Sequence, residues 1–115
     1  MKKITSHSPA QFVIQSKIIK AMAHPTRLFI ICELSRHKKC VWELTEMIGA
    51  DISTVSRHLS VLKNVGIVKD EKVGANIYYK LHCPCVLNFL SCIEPVIVTQ
   101  AKEHLNIIER KKKKR

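Results

Sequence analysis

Apolar residues recur along this chain at two different periods, and the change of period marks its parts. After Ser8-Pro9-Ala10-Gln11, the residues Phe12, Ile14, Ile18, Ile19 and Met22 make an amphipathic helix. Ser8 is placed as its N-cap, Pro9 in the first turn and Gln11 as the return arm of a capping box. His24-Pro25 closes that helix, and a second runs from Thr26 to about Arg36 with Leu28, Ile31, Cys32 and Leu34 inward. A basic connector, Ser35 to Cys40, leads to a short third helix, Val41 to Ile48, which ends at Gly49. In the fourth, Val55, Leu59 and Leu62 fall at i, i+4 and i+7 and form one stripe, with Asp51 as cap and Gly66 as stop. From Ile67 the period changes. Ile67-Val68 opens a strand that Lys69 to Val73 continues, Gly74-Ala75 turns it, and Asn76 to Leu81 returns with strand-favouring Ile77, Tyr78 and Tyr79.

Two helices joined at Gly49-Ala50 and followed by two short strands predict a mainly α fold with a small β-hairpin wing, a winged helix-turn-helix. Beyond Pro84 the chain is apolar again, with Val86, Leu87, Phe89, Leu90, Ile93, Val96, Ile97, Val98, Leu105, Ile107 and Ile108. Pro95 is expected to kink that helix or split it in two. This last helix and the first carry more apolar surface than one small domain needs. They are expected to pair with each other and with their copies in a twofold homodimer. One domain is expected over residues 1–109, with a basic, disordered tail over 110–115.

The outer face of the fourth helix directs the reading toward function. Ser53, Ser56, Arg57, Ser60 and Asn64 lie opposite its apolar stripe, and no acid stands among them. A merely solvated face mixes Glu with Lys for i,i+4 pairing. Short hydroxyls instead allow close approach to a phosphate or base edge, and the Arg57 fork suits guanine. Charge agrees. The 115 residues hold 20 Lys and Arg against 9 Asp and Glu, a net charge of +11, and removing the six cations of 110–115 still leaves +5. Such a body favours a polyanion, and Lys69, Lys72 and Lys80 place charge on the wing where phosphates pass.

No run approaches the ~18 apolar residues of a membrane span, and MKKITSHSPAQF has no uninterrupted apolar segment of a secretory signal. A cytoplasmic protein with no membrane partner is expected. Its five cysteines are then thiols, available to metals or redox chemistry. Catalysis is not expected: no Gly-rich cofactor loop is present, and Cys83-Pro84-Cys85 lacks the strand–helix setting of a dithiol reductase.

AMAHPTRLFIICEL, CVWEL, STVSRHLSVLKNVGIV and GANIYYKL, in that order over about Pro9 to Leu81, resemble ArsR/SmtB-type repressors. That resemblance implies a homodimeric winged-helix repressor that leaves its double-stranded operator when a metal ion, metalloid or thiol oxidant occupies a sensor site. It makes Ser53, Thr54, Ser56, Arg57 and His58 the DNA-contacting set of the helix, with Lys69 and Lys72 on the wing. Position 52, often glutamine in such proteins, is Ile52 here. His58 lies at the border of the buried face, where a DNA contact and a hydrogen bond to neighbouring backbone are both open.

The resemblance also implies a CVC thiol pair on the third helix, but the matching positions are Cys40 and Trp42, so that site lacks its second ligand. The acid and histidine pairing of zinc-sensing relatives is missing from the last helix, where His104 stands nearly alone. The chain offers Cys83-Pro84-Cys85 and Cys92 instead. Thiolates select soft ions such as trivalent arsenic and antimony or cadmium. Two cysteines one residue apart can grip one ion if extended, and Pro84 keeps Cys83 out of helical conformation. Cys83, Cys85 and Cys92 are therefore expected to form an arsenite-type sensor, Cys92 coming from the same chain or its partner, with Cys40 a possible further ligand. No cofactor is required. The alternative is a redox or persulfide switch between Cys32 and Cys92. Relatives that sense such species use a cysteine at this helix-two position, although Cys32 also fits the core stripe.

Overall fold

The computed structural model describes residues 8–113. The stretch before Ser8, on which the absence of a secretory signal was argued, and the last two tail residues lie outside the described residues. Five helices and three strands follow in order: α1 (Pro9–Met22), α2 (Pro25–Arg36), β1 (Lys39–Cys40), α3 (Val41–Ile48), α4 (Ile52–Asn64), β2 (Val68–Val73), β3 (Asn76–Leu81) and α5 (Val86–Lys113). The strands make one antiparallel sheet in the order β1-β3-β2.

Helix α4 forms where its stripe predicts. Val55, Leu59 and Leu62 are each fully buried, against Ile30, Ile31 and Leu34 of α2 and Leu44 of α3 in the same core. Its end is a complete Schellman stop. Gly66 takes φ 84°, its N–H donates to the Lys63 carbonyl (3.0 Å), and the Ile67 N–H donates to the Leu62 carbonyl (3.1 Å). Ile67 and Leu62 are both buried, which supplies the apolar contact that accompanies this motif. At the other end Asp51 stands at the N-cap in extended conformation. Helix α3 stops at Gly49, φ 77°, whose N–H donates to the Thr45 carbonyl at 2.9 Å. The tight turn of the helix-turn-helix is thus made by a residue without a Cβ to clash.

Helix α1 starts at Ser8, whose hydroxyl and carbonyl both accept from the Gln11 N–H, with Pro9 in the first turn. Only its last residues, Ala21 and Met22, are buried, while Phe12, Val13, Ile14 and Ile19 are all more than half exposed.

Three expectations need correction and one, at Pro95, is narrowed. Ser35 to Cys40 is not merely a connector: Lys39 and Cys40 pair with Tyr79 and Tyr78 as strand β1. A two-residue strand carries no period of its own, and only the β3 edge creates it. In α2 the inward face is Ile30, Ile31 and Leu34, with Leu28 half-buried and Cys32 exposed. At about 100° per residue, Cys32 sits roughly 150° from the centre of that face, so the core reading of Cys32 fails. Of the two outcomes expected at Pro95, a kink or a split, the split does not occur: α5 runs 28 residues through it. Proline removes one backbone bond there, and the bonds of adjacent turns carry the helix on. Finally, Arg110 to Lys113 of the expected disordered tail are helical. Cations in a last helical turn face the partial negative charge of unpaired carbonyls, which favours them there.

Where one domain over 1–109 was expected, the chain divides into two compact units, one ending at Cys83 and one beginning at Pro84. The first holds the core. The second is essentially α5, which buries none of its residues within the chain. Among the described residues no helix is long and apolar enough to cross a membrane.

Candidate nucleic-acid interface and thiol site

The outer face of α4 is built as its wheel predicts. Ser53, Arg57, Ser60 and Asn64 are exposed, and Thr54 and Ser56 are half-buried beside them. The Ser53 hydroxyl donates to the Asp51 carboxylate at 2.9 Å. Hydroxyl donation from Thr54 first, and from Ser53, holds the Asp51 carboxyl below its ordinary range. The acid stays charged and is held at its own helix start by hydroxyls of the first turn. Ile52, half-buried at the first position of α4, offers a base no hydrogen bond. Helix α3 is pinned at its start by Glu43, which accepts from the Cys40 N–H at 3.1 Å; that bond is the main cause of the lowered Glu43 pKa.

Strands β2 and β3 pair from Val68↔Leu81 to Val73↔Asn76, so Lys69 stands opposite Lys80 on one face while Lys72 points to the other. The wing's cations divide further. Lys63, at the end of α4, reaches Asp70 at 2.8 Å, and Glu71 takes both Lys38 (2.9 Å) and Lys80 (3.3 Å). Lys69 and Lys72 are exposed and have no ion-pair partner among the described residues. Sequence reasoning missed Lys38 as a wing residue. Its signal was the basic run before Cys40, which becomes part of the wing only once β1 joins β3.

His58 turns away from the exposed set. Its ring lies against His24 with centroids 4.5 Å apart and planes tilted by 40°. His24 is itself the N-cap of α2, its Nδ1 accepting from the Thr26 N–H at 3.1 Å. That role puts the ring proton on Nε2, so His24 cannot offer Nε2 to a metal without giving up the cap. The Nε of Arg27, on the same turn, is buried with no hydrogen-bond partner. Burial first, then the charges of His24, Arg27 and Arg57, push the His58 pKa below its ordinary 6.5. A histidine with a depressed folded pKa stabilises the fold fully above 6.5, and that contribution is lost as pH falls through the folded value. The melting temperature should therefore drop between neutral pH and about pH 5. The drop should be smaller in His58→Gln; an identical pH profile would remove His58 as its source.

The thiols occupy several places. Cys32 is exposed on α2, Cys40 is half-buried at the N-cap of α3, Cys83 is half-buried just past β3, and Cys85 and Cys92 are exposed, before and on α5. Among the described residues no group of three or more Cys, His, Asp or Glu side chains is arranged to hold a metal ion. His104 is an exposed residue of α5. The Cys83 N–H donates to the Ile67 carbonyl at 3.3 Å, beside His82, whose N–H reaches the same oxygen at 2.8 Å. Ile67 is the residue that closes the Schellman stop of α4. The backbone of Cys83, one of the predicted sensor residues, is therefore a single hydrogen bond from the residue that ends the reader helix.

Comparison with known proteins gives this architecture its relatives. Residues 24–70, from the cap of α2 into β2, match the family described as bacterial regulatory protein, arsR family. The chain is 30% identical over 88 residues to the biofilm growth-associated repressor of Xylella fastidiosa, covering 76% of this chain and 77% of that protein. It is 39% identical over 67 residues to a cadmium resistance transcriptional regulatory protein, a CadC homolog of Staphylococcus aureus, covering 57% and 55% of the two. Among solved structures it is similar to HlyU from Vibrio cholerae, with a TM-score of 0.67 and 26% identity, covering 75% of this chain and 97% of that one. HlyU in its reduced form matches at 0.65 and 26%, over 76% and 92%. The homodimeric winged helix-turn-helix domain of a Mycobacterium bovis protein matches at 0.69 over 88% and 95%, and at 24% identity it speaks for the fold alone. A family model that runs from α2 through the reader helix, with a relative aligned along three quarters of both lengths, establishes the descent: this chain belongs to the ArsR family of bacterial regulatory proteins.

Proposed function

We propose that this chain is a homodimeric transcriptional repressor that holds operator DNA with α4 and the wing. It lets go when Cys83 and Cys85, together with Cys92, capture a thiophilic species of the trivalent arsenic or soft-metal type. Ser53, Thr54, Ser56 and Arg57 face or flank the duplex, His58 backs them from its place against His24, and Lys69 and Lys72 meet its phosphates. The observation that carries the switching half is the Cys83 N–H bond to Ile67, the residue that terminates α4. Displacing Cys83 pulls on a buried residue whose own N–H locks the last turn of the reader helix. A regulator from Staphylococcus aureus named for cadmium resistance supports a soft ion, and the donor chemistry agrees, since thiolates select such ions. The third donor, Cys92 with Cys40 as a further candidate, comes from the same chain or from a second copy. The exposed apolar residues of α1 and α5 are the surface such a copy would cover. Two copies also suit readers that meet half-sites about one helical turn apart.

A second reading rests on Cys32. It is exposed, as is Cys92, and HlyU, a similar protein, has been solved in a form described as reduced. In this reading the two thiols surrender two electrons and two protons to an oxidant, or to a persulfide, and form a disulfide that changes the dimer's grip.

One experiment separates the two. A duplex selected by the protein from a random pool is bound, and its release is followed by anisotropy during titration with arsenite, cadmium and peroxide. Cys83→Ser and Cys85→Ser should bind like wild type and lose release by arsenite. Undiminished release would remove that pair, and release by peroxide that disappears in Cys32→Ser would install the disulfide reading in its place.

A further inference from the structure

The wing carries two acids in an otherwise basic hairpin, and the structure gives both the same occupation. Asp70 holds Lys63, and Glu71 holds Lys38 and Lys80 from two different segments. Lys38 is further fixed by lying 5.5 Å over the ring of Tyr78, the β3 residue opposite Glu71. Lys80 stands directly across the ladder from Lys69, a like-charge pairing that opposes the hairpin, and Glu71 is its diagonal neighbour. The carboxyl of Glu71 is held low by these two lysines, Lys38 before Lys80, so it is charged wherever the wing would meet DNA.

We infer that Glu71 is a specificity-determining residue: it occupies Lys38 and Lys80 and so restrains the wing's sequence-independent grip on duplex DNA. This rests on the DNA-binding reading above. The physical ground is a difference of kind between contacts. Phosphate contacts raise affinity for every sequence equally, whereas base contacts discriminate. A wing with five available lysines would strengthen binding to all DNA without improving the choice of site. With Asp70 and Glu71 in place, only Lys69 and Lys72 of those five stand without an ion-pair partner among the described residues, and discrimination is left to α4. Exposed ion pairs of this kind contribute little to stability, so the arrangement is cheap to disturb and its main consequence is on binding.

The test uses the full chain and a mixed-sequence duplex, with affinity measured across a salt series. Each phosphate newly contacted steepens the slope of log affinity against log salt by about 0.9. Glu71→Gln should therefore steepen it by roughly 1 to 2 and raise low-salt affinity by about 3- to 10-fold. Asp70→Asn, which releases Lys63 alone, should give about half the change in slope. Glu33→Gln, on α2 and paired there with Arg36, changes net charge equally and controls for the general field. The gain from Glu71→Gln should vanish when Lys38→Met and Lys80→Met are added. An unchanged slope, a gain no larger than that of Glu33→Gln, or a gain that survives loss of both lysines would overturn the inference. A wild-type chain that fails to bind duplex DNA at all would instead overturn the DNA-binding reading, and this inference with it.

Discussion

Leu59→Ala should destabilise the folded chain by about 2 to 5 kcal/mol, the range for truncating a buried leucine that leaves a cavity. Leu59 is fully buried at the middle of the α4 stripe, between Val55 and Leu62, which are equally enclosed. The core it joins is small: eleven apolar residues are buried among those described, spread over α1, α2, α3, α4 and the start of β2. So few side chains leave little capacity to relax into a void. Domains of this size are stable by only about 5 to 15 kcal/mol, so the loss is a large fraction of the whole. Urea unfolding at neutral pH is the measurement, with Ser60→Ala, on the exposed side of the same helix, as the companion. Ser60→Ala should move the midpoint little. A midpoint shift in Leu59→Ala as small as that of Ser60→Ala would mean that α4 does not seat on α2 and α3 as described.

Arg57→Ala should weaken binding to a selected duplex by about 1 to 3 kcal/mol, roughly 5- to 150-fold. Arg57 is exposed on the outer face of α4 among short hydroxyl and amide side chains, with no acid paired to it among the described residues. Its guanidinium is thus available to a base edge or a phosphate. Arg57→Lys separates the two. A lysine keeps the charge and a phosphate contact but not the bidentate fork that reads guanine. If Arg57 reads a base, the lysine variant should lose selectivity between the selected duplex and a mixed sequence while keeping the salt slope. If it holds a phosphate, Lys should restore most of the affinity. Wild-type affinity in Arg57→Ala would remove the residue from the interface.

The helix-turn-helix was legible because each of its signals is local. Gly49 and Gly66 stand where the backbone needs positive φ, Asp51 stands at an N-cap, and Val55, Leu59 and Leu62 repeat at helical spacing. None of these depends on a distant partner. The phase of α2 was misread for the opposite reason. Leu28, Ile30, Ile31, Cys32 and Leu34 are apolar nearly all round, and a helix with two plausible faces is oriented only by what it packs against. Strand β1 was invisible on the same ground, since two residues take strand form only when Tyr78 and Tyr79 lie beside them. With β1 came Lys38, and with Lys38 the pairing by Glu71 that changes how the wing's charge is counted.

The candidate site divides along a similar line. The exposed face of α4, the wing lysines and the cysteine spacing could all be read from the chain, because residue type and local period decide them. The sequence by itself determined the class of fold, the reader helix with its caps, and the family. Tertiary structure alone decided that Cys32 faces out, that His58 meets His24, and that Cys83 hangs from the carbonyl of Ile67. Each of those three depends on residues far apart in the chain, or on which of two faces a neighbour covers, and no period in a sequence encodes that.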